Sequence, residues 1–387
     1  MLISLDCRII RDKNPAGIAR VVLEFLKKVL SSDRKNEYIL IFDNEEMKDF
    51  VCYYLRNVKK KVKIVIVPFG MLTLQNIFSF PRILKERNVN IYYCPYYFCS
   101  PFINRKIKVV ITVFDLIHFF YPYLKMSFPR RLYHKIKIAP KLVFHRANKI
   151  ITISINTSRD LVKNFKISPR KIKMIYMGVS ENFRVIRKDL ALRLMEEKFG
   201  VKNYIMFLGR NEPHKNIKAL IIAYKNIPEY LKEKYKLVLV GKEDEKYSPP
   251  LRALIKKYNL ERNIIFTGYV DEAELPYIYS GATIYIQPSF YEGFGLPIVE
   301  AMACGVPVIS SNSSCLPEVG SDAALYFDPY DVKKLTEHIT NLLDHEPLRR
   351  AMIESGLKQA KNFSWFNAAN SLLECFNELG GQNGKEK

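Results

Sequence analysis

At 387 residues the chain is longer than a single hydrophobic core usually supports, so two domains are expected. Its 48% hydrophobic and 26% charged content excludes a disordered or fibrous chain. The formal net charge of +22 excludes a surface indifferent to anions and points to phosphate-bearing partners.

The N-terminal MLISLDCRII carries Asp6 and Arg8 where a secretory signal would need its apolar stretch, so a cytoplasmic protein is expected. Asn14-Pro15-Ala16-Gly17 leads into apolar positions at helical spacing over Ile18–Leu30. Tyr38–Phe42, Val62–Val67, Ile91–Cys94 and Lys108–Val113 read as short buried strands. The aromatic run IYYCPYYFCSPF (Ile91–Phe102) is read as packing. Val109–Leu124, the longest apolar run, is interrupted by Asp115 and is too short to span a bilayer. Ile150–Ser154 is a further strand, with a helix expected from Ser158. Ile172–Met177 leads into a candidate hinge at Gly178-Val179-Ser180.

The alternation then restarts. Tyr204–Leu208, Lys236–Val240, Ile264–Thr267, Thr283–Gln287, Val306–Ser310 and Ala324–Phe327 are expected strands, and the first four meet a glycine or proline. A helix is expected over Asn216–Tyr224. Strands that end this way and lead into helices indicate an α/β chain with one parallel sheet per half. Ligands of such sheets bind beyond the carboxyl ends of the strands. Seven cysteines, with no CxxC pair and no zinc-ligand spacing, are read as reduced, mostly buried thiols.

Two motifs follow strand ends. In LGRNEPHKN (Leu208–Asn216), Arg210 and Lys215 sit where a helix begins, which suits a dianionic phosphate group. In PSFYEGFGLPIVEAMACGVPVISSN (288–312), the glycines let backbone amides approach a ligand, and Pro297 suits a first helical turn. Glu300 is expected in that first turn and Glu292 in the preceding loop. Carboxylates accept from hydroxyls and repel phosphates, so a ligand with both a diphosphate and sugar hydroxyls fits. Alone, the pair is also compatible with a helix cap beside a solvated glutamate.

Chained together, these segments resemble the retaining glycosyltransferases of family four, the group 1 transferases with the GT-B architecture of two Rossmann-like domains facing a cleft. The resemblance rests on YIMFLGRNEPHKN, on IIFTGYVDEAELPYIYSGATIYIQPSFYEGFGLPIVEAMACGVPVISSN with its Glu292-x7-Glu300 spacing, and on LPEVGSDAALYFDP. ANKIITISINTSRDLVKNF, IYMGVSENF and FSWFNAANSLLECF around Trp365 add to it, and before residue 108 it is looser. It implies residues 1–178 as an acceptor-binding domain, joined by a C-terminal helix over 363–380 that crosses back, and 179–362 as a nucleotide-sugar domain. Arg210 and Lys215 would bind the donor diphosphate, Glu300 the ribose, and Glu292 would face the transferred sugar. Phe294, Gly295 and Leu296 would contact that sugar or its phosphate through their backbone, and Tyr269-Val270 would lie beside the base. Gly17 is what remains of the family's glycine-rich loop. The family's histidine position is Phe114 here; Asp115 matches as a catalytic candidate, and His118 either serves the acceptor site or packs. No metal and no cofactor is implied.

The charge is divided unevenly. Residues 1–180 hold 34 Lys+Arg against 12 Asp+Glu, whereas the remainder holds 27 of each. From Leu116 to Arg159 nine basic residues (Lys125, Arg130, Arg131, Lys135, Lys137, Lys141, Arg146, Lys149, Arg159) occur without an acidic one. The expected function is transfer of a mannose- or glucose-type hexosyl group from a GDP- or UDP-linked donor to a glycan or lipid-linked acceptor in cell-envelope synthesis. The basic half would contact an anionic membrane peripherally. The competing reading is a basic nucleic-acid- or membrane-binding protein without transferase activity; no nucleic-acid recognition signature supports it, and no nucleic-acid partner is expected.

Overall fold

The computed structural model describes residues 1–13, 17–121 and 138–381. Asn14, Pro15, Ala16 and five of the nine cations above (Lys125, Arg130, Arg131, Lys135, Lys137) lie outside the described residues. The chain divides into two compact units, Met1–Gly178 with Ser364–Lys387, and Val179–Phe363.

The first unit is built on a seven-stranded parallel sheet ordered β3-β2-β1-β4-β5-β6-β7. Its strands are β1 (Leu2–Asp6), β2 (Glu37–Phe42), β3 (Val62–Ile66), β4 (Ile91–Cys94), β5 (Lys108–Val113), β6 (Lys149–Thr152) and β7 (Ile172–Met174). The central strands are nearly continuous buried Val/Ile/Leu/Tyr runs, as expected of strands covered on both faces. Strand β1 was not expected. It pairs with β2 and β4, placing Ser4 beside Ile39 on one side and Tyr92 on the other. The helix after β6 begins at Ile155, not Ser158, because Ser154 leaves the strand and caps it, its Oγ accepting the Thr157 amide.

Strand order reverses between β1 and β4, and a buried ionic cluster sits at the carboxyl end of β1. Arg8 donates to Asp6 through Nε (2.9 Å) and Nη2 (2.7 Å), and neither side chain is exposed. Asp6 also accepts from the Tyr92 hydroxyl (2.6 Å), and Arg8 donates to Asn76 Oδ1 (2.8 Å) and lies over the Phe80 ring. Burial works against the Arg8 charge, but Asp6 more than compensates and raises its pKa. The aromatic run is packing, as expected: Tyr92, Tyr93, Tyr96, Tyr97 and Phe98 are all buried, and only Phe102 at its end is exposed.

The terminal helix Trp365–Gly381 belongs to this unit, packing against the helix Ile18–Ser32. Trp365 meets Phe25 edge-on (5.3 Å), and Phe376 meets Tyr93 (5.7 Å). Gly178 lies directly beneath this helix start: a Cβ there would stand 2.1 Å from the Trp365 amide nitrogen.

The second unit holds a six-stranded parallel sheet ordered β10-β9-β8-β11-β12-β13. These strands are β8 (Tyr204–Leu208), β9 (Lys236–Val240), β10 (Ile264–Gly268), β11 (Ile284–Gln287), β12 (Val308–Ser311) and β13 (Ala324–Phe327). Its core joins Ile205, Phe207, Leu237, Leu239, Ile284 and Ile286 to the helices Ile217–Asn226 and Val332–Asp344. Here the order reverses between β8 and β11. Strand β12 starts two residues later than the expected Val306, because Val306 and Pro307 complete the turn out of the preceding helix.

Gly178→Ala should destabilise the protein by about 1–3 kcal/mol or more, since backbone must move to admit the methyl group. The measurement is the denaturant midpoint against that of Gly381→Ala, whose added Cβ meets nothing within 4 Å and whose backbone has no positive φ.

Candidate functional site

Beyond β8 the chain passes Arg210 and Glu212 into a single turn of 3-10 helix, Pro213–Lys215. Asn216 then adopts a left-handed conformation (φ 55°), which asparagine tolerates, and the helix proper starts at Ile217. The Asn216 side chain donates to the carbonyls of Pro288 (3.1 Å) and Pro329 (2.8 Å), tying the loop after β8 to those after β11 and β13.

Beyond β11, Pro288–Gly295 form the second wall. Gly295 (φ 98°) precedes the helix Leu296–Ala303, and a Cβ there would also stand 2.9 Å from Leu316 Cδ2, so no other residue fits without strain. Because this helix starts at Leu296, Glu300 lies in its second turn rather than the first. Glu300 is buried, with its Oε2 accepting from the Tyr279 hydroxyl at 3.0 Å. Burial and the neighbouring Glu300 raise the Tyr279 pKa well above its ordinary value, so it remains a donor.

Lys215 and Glu292 meet at the reversal. The lysine Nζ donates to both carboxylate oxygens, at 2.7 and 2.9 Å, and the two side chains are 18% and 13% exposed. Glu292 is therefore a largely buried, paired acid and not a solvated one. Gln287 Nε2 (2.8 Å) and Ser289 Oγ (2.7 Å) donate to the same Glu292 oxygen. Its backbone is gripped by Ser314, whose hydroxyl donates to the Glu292 carbonyl (2.6 Å) and accepts from its amide (3.3 Å). Ser314 has φ 57°, uncommon for a non-glycine residue. Burial alone would raise the Glu292 pKa, but the charges of Lys215 and His214 and the bonds from Lys215 and Ser289 hold it below the usual carboxylate value. Glu212 goes the other way: burial lifts its pKa despite Lys215 and Arg210.

The other expected residues of this unit lie at the same end of the sheet. Arg210 and Tyr269 are exposed, and Val270 and Leu296 are half-buried. Phe294 is buried, its ring edge-on to Phe363 (5.6 Å). Gln287, Ser289, His214 and Ser314 were not foreseen; the legible signal was a glutamine ending the apolar strand IYIQ, followed by Pro-Ser and Glu292.

The remaining candidates belong to the first unit. Asp115 follows β5, and its Oδ1 accepts the Ile117 amide (3.0 Å), starting a short helix that carries half-buried His118. Gly17 (φ 55°) precedes the helix Ile18–Ser32. Among the described residues no group of three or more His, Cys, Asp or Glu could hold a metal ion, and no helix is long and apolar enough to cross a membrane.

Residues 15–183 match the family described as Glycosyltransferase Family 4, and residues 193–359 match Glycosyl transferases group 1. The O-antigen chain mannosyltransferase B of Escherichia coli is 31% identical over 304 residues, covering 76% of this chain and 76% of that protein. The chain belongs to the group 1 glycosyltransferases. The serotype-specific mannosyltransferase WbdA of Escherichia coli is 33% identical to this transferase over 239 residues, 61% of the chain but only 29% of that longer protein. In fold, the transferase is similar to sucrose-phosphate synthase of Thermosynechococcus elongatus (TM-score 0.75, 19% identity, 98% of this chain and 99% of that one). It is also similar to Anabaena HepE in complex with UDP and glucose (TM-score 0.76, 16% identity, 98% and 100%). The fold is thus GT-B, as expected, and the competing reading of a binding protein without transferase activity gives way to an enzyme.

Removing Lys215 leaves a buried carboxylate without its counter-charge. Lys215→Met should cost about 3–5 kcal/mol of stability, and adding Glu292→Gln should recover part of it. In the wild type the folded Glu292 pKa lies below its unfolded value, so the pair's contribution is full above the unfolded value and fades as pH falls through the lowered one. Acid unfolding curves of the wild type and the double variant should therefore converge at low pH.

Proposed function

We propose that the transferase moves a mannose- or glucose-type hexosyl group from a GDP- or UDP-linked donor to a glycan or lipid-linked acceptor during cell-envelope polysaccharide or glycolipid synthesis, with retention of anomeric configuration and without a metal ion. The observation that carries this reading is the convergence, at the β8/β11 reversal, of a cationic loop and a clamped carboxylate. Both relatives from Escherichia coli are mannosyltransferases by name, one of them of an O-antigen chain.

On this reading Arg210 and Lys215 meet the diphosphate and supply the charge that a metal supplies elsewhere. Glu300 takes a ribose hydroxyl alongside Tyr279, and Tyr269-Val270 flank the base. The backbone of Phe294, Gly295 and Leu296 lies along the sugar and its phosphate, and Glu292 takes a sugar hydroxyl. Lys215 then has two anions to serve, so donor binding draws hydrogen bonds from Glu292 towards phosphate. Gly17, Asp115 and His118 are assigned to the acceptor-binding unit.

Peripheral contact with an anionic bilayer is part of the proposal. Leu74 and Phe78, four residues apart on one helix face, are 71% and 66% exposed, and Phe102 (61% exposed) stacks on Phe78 at 5.8 Å. The helix is held from beneath by Asn76, which donates to the carbonyls of Met71 (2.7 Å) and Phe98 (3.2 Å), so these chains cannot turn inward. An exposed apolar cluster on the unit that carries the surplus cations suits an anionic headgroup boundary.

In a panel of nucleotide sugars, at least one GDP- or UDP-hexose should raise the melting temperature and be slowly hydrolysed, with no loss of activity in EDTA. Glu300→Ala should weaken donor binding by roughly 10-fold or more, as expected for a lost hydrogen bond to a charged group. A panel without any stabilising donor, together with an unaffected Glu300→Ala, sinks the reading. Vesicle binding should need anionic lipid, weaken with salt and fall in Phe78→Ser/Phe102→Ser; indifference to all three removes the membrane contact.

A further inference from the structure

We infer that Gln287 is a positioning residue for Glu292, committing its Oε1 oxygen to the protein and leaving Oε2 to receive a hydroxyl of the transferred sugar. The inference rests on the assignment of Glu292 to the sugar.

Gln287 is the last residue of β11 and is fully buried. Its Nε2 donates both to Ser289 Oγ (2.7 Å) and to Glu292 Oε1 (2.8 Å), and its own oxygen accepts from the Tyr285 hydroxyl. Residues 285 and 287 share one face of the strand, which is why the phenol reaches the amide. The orientation of the amide is determined by chemistry. A carboxylate only accepts, so the nitrogen must face Glu292. Burial keeps the Tyr285 phenol protonated, and it supplies its hydrogen to the amide oxygen. A flipped amide would set its carbonyl against the carboxylate and leave the phenol facing an NH2 group.

The donors on Glu292 are shared unequally. Oε1 receives Lys215 (2.7 Å), Gln287 (2.8 Å) and Ser289 (2.7 Å), which exhausts its lone pairs. Oε2 receives Lys215 alone among the described residues, at 2.9 Å. A carboxylate asked to take a further hydroxyl therefore takes it on Oε2, and Gln287 makes that choice because it and Ser289 approach from one side. Ser289 is itself placed by Ser311, whose hydroxyl donates to the Ser289 carbonyl at 2.6 Å. Packing explains the apolar residues of β11, but a fully buried glutamine with both amide hydrogens engaged finds its use in the carboxylate.

Gln287→Leu keeps the volume and removes the directed donor. With the best donor of the panel, kcat should fall about 10–100-fold, the range typical of removing a group that orients a functional ligand, while donor KM changes by less than about 3-fold. Loss of a donor to the charged form raises the Glu292 pKa, so the acid limb of the pH–rate profile should move to higher pH. Affinity for the nucleoside diphosphate without sugar should be unchanged. Tyr285→Phe, a milder change that frees the amide to turn, should shift kcat and the acid limb in the same directions. Unchanged kcat and acid limb in both variants overturn the inference, as does a loss of kcat that only tracks lost nucleoside diphosphate affinity. Glu292→Gln separates the two layers. Full activity in Glu292→Gln removes the sugar assignment and this inference with it; an inactive Glu292→Gln beside a wild-type-like Gln287→Leu removes the inference alone.

Discussion

The reversal of strand order between β8 and β11 is the constraint on which the second unit depends. Parallel strands must be joined by crossovers, and where successive crossovers depart in opposite directions the loops on either side cannot fill the space between them. The loop after β8 supplies Lys215 to that space, and the loop after β11 supplies Glu292. Each would be costly there alone, since a charge removed from water needs a partner. Together they permit a charged pair at the end of an otherwise apolar sheet; the left-handed Asn216 and Gly295 shape the two loops that carry it, and the left-handed Ser314, on the loop after β12, grips the Glu292 backbone.

The first unit meets the same topological problem with a different outcome. At its β1/β4 reversal, Asp6, Arg8, Asn76 and Tyr92 form a closed cluster in which neither charged side chain is exposed. That cluster holds loops together. The cluster in the second unit is partly open and has an oxygen with acceptor capacity to spare. Similar chemistry at equivalent points of two similar sheets thus serves as a brace in one and as a candidate site in the other.

Strands bounded by glycine or proline could be read from the sequence, because parallel strands are apolar throughout and their ends need special backbone. The loop positions of Arg210, Lys215 and Glu292 could be read for the same reason. Pairing across 77 residues could not: nothing local says that Glu292 is buried against Lys215 rather than solvated. Strand β1 is not legible in the sequence since LISLD is short and ends in an acid, which is tolerable only because Arg8 folds back on it. The start of the helix after β6 is hidden in the sequence because Ile153 is still buried after strand pairing has ended, so the apolar run outlasts the strand. The turn occupied by Glu300 depended on Gly295 acting as the helix boundary, which its positive φ requires but its sequence neighbours conceal.

The return of the terminal helix to the first unit has a consequence for biosynthesis. Phe25 and Tyr93 are translated before the second unit, and their partners Trp365 and Phe376 only after it. The second unit is continuous from Val179 to Phe363 and has all its own residues before the first unit does. The first unit is therefore begun before the second and completed after it, and during synthesis it must hold an uncovered apolar seam along the helix Ile18–Ser32.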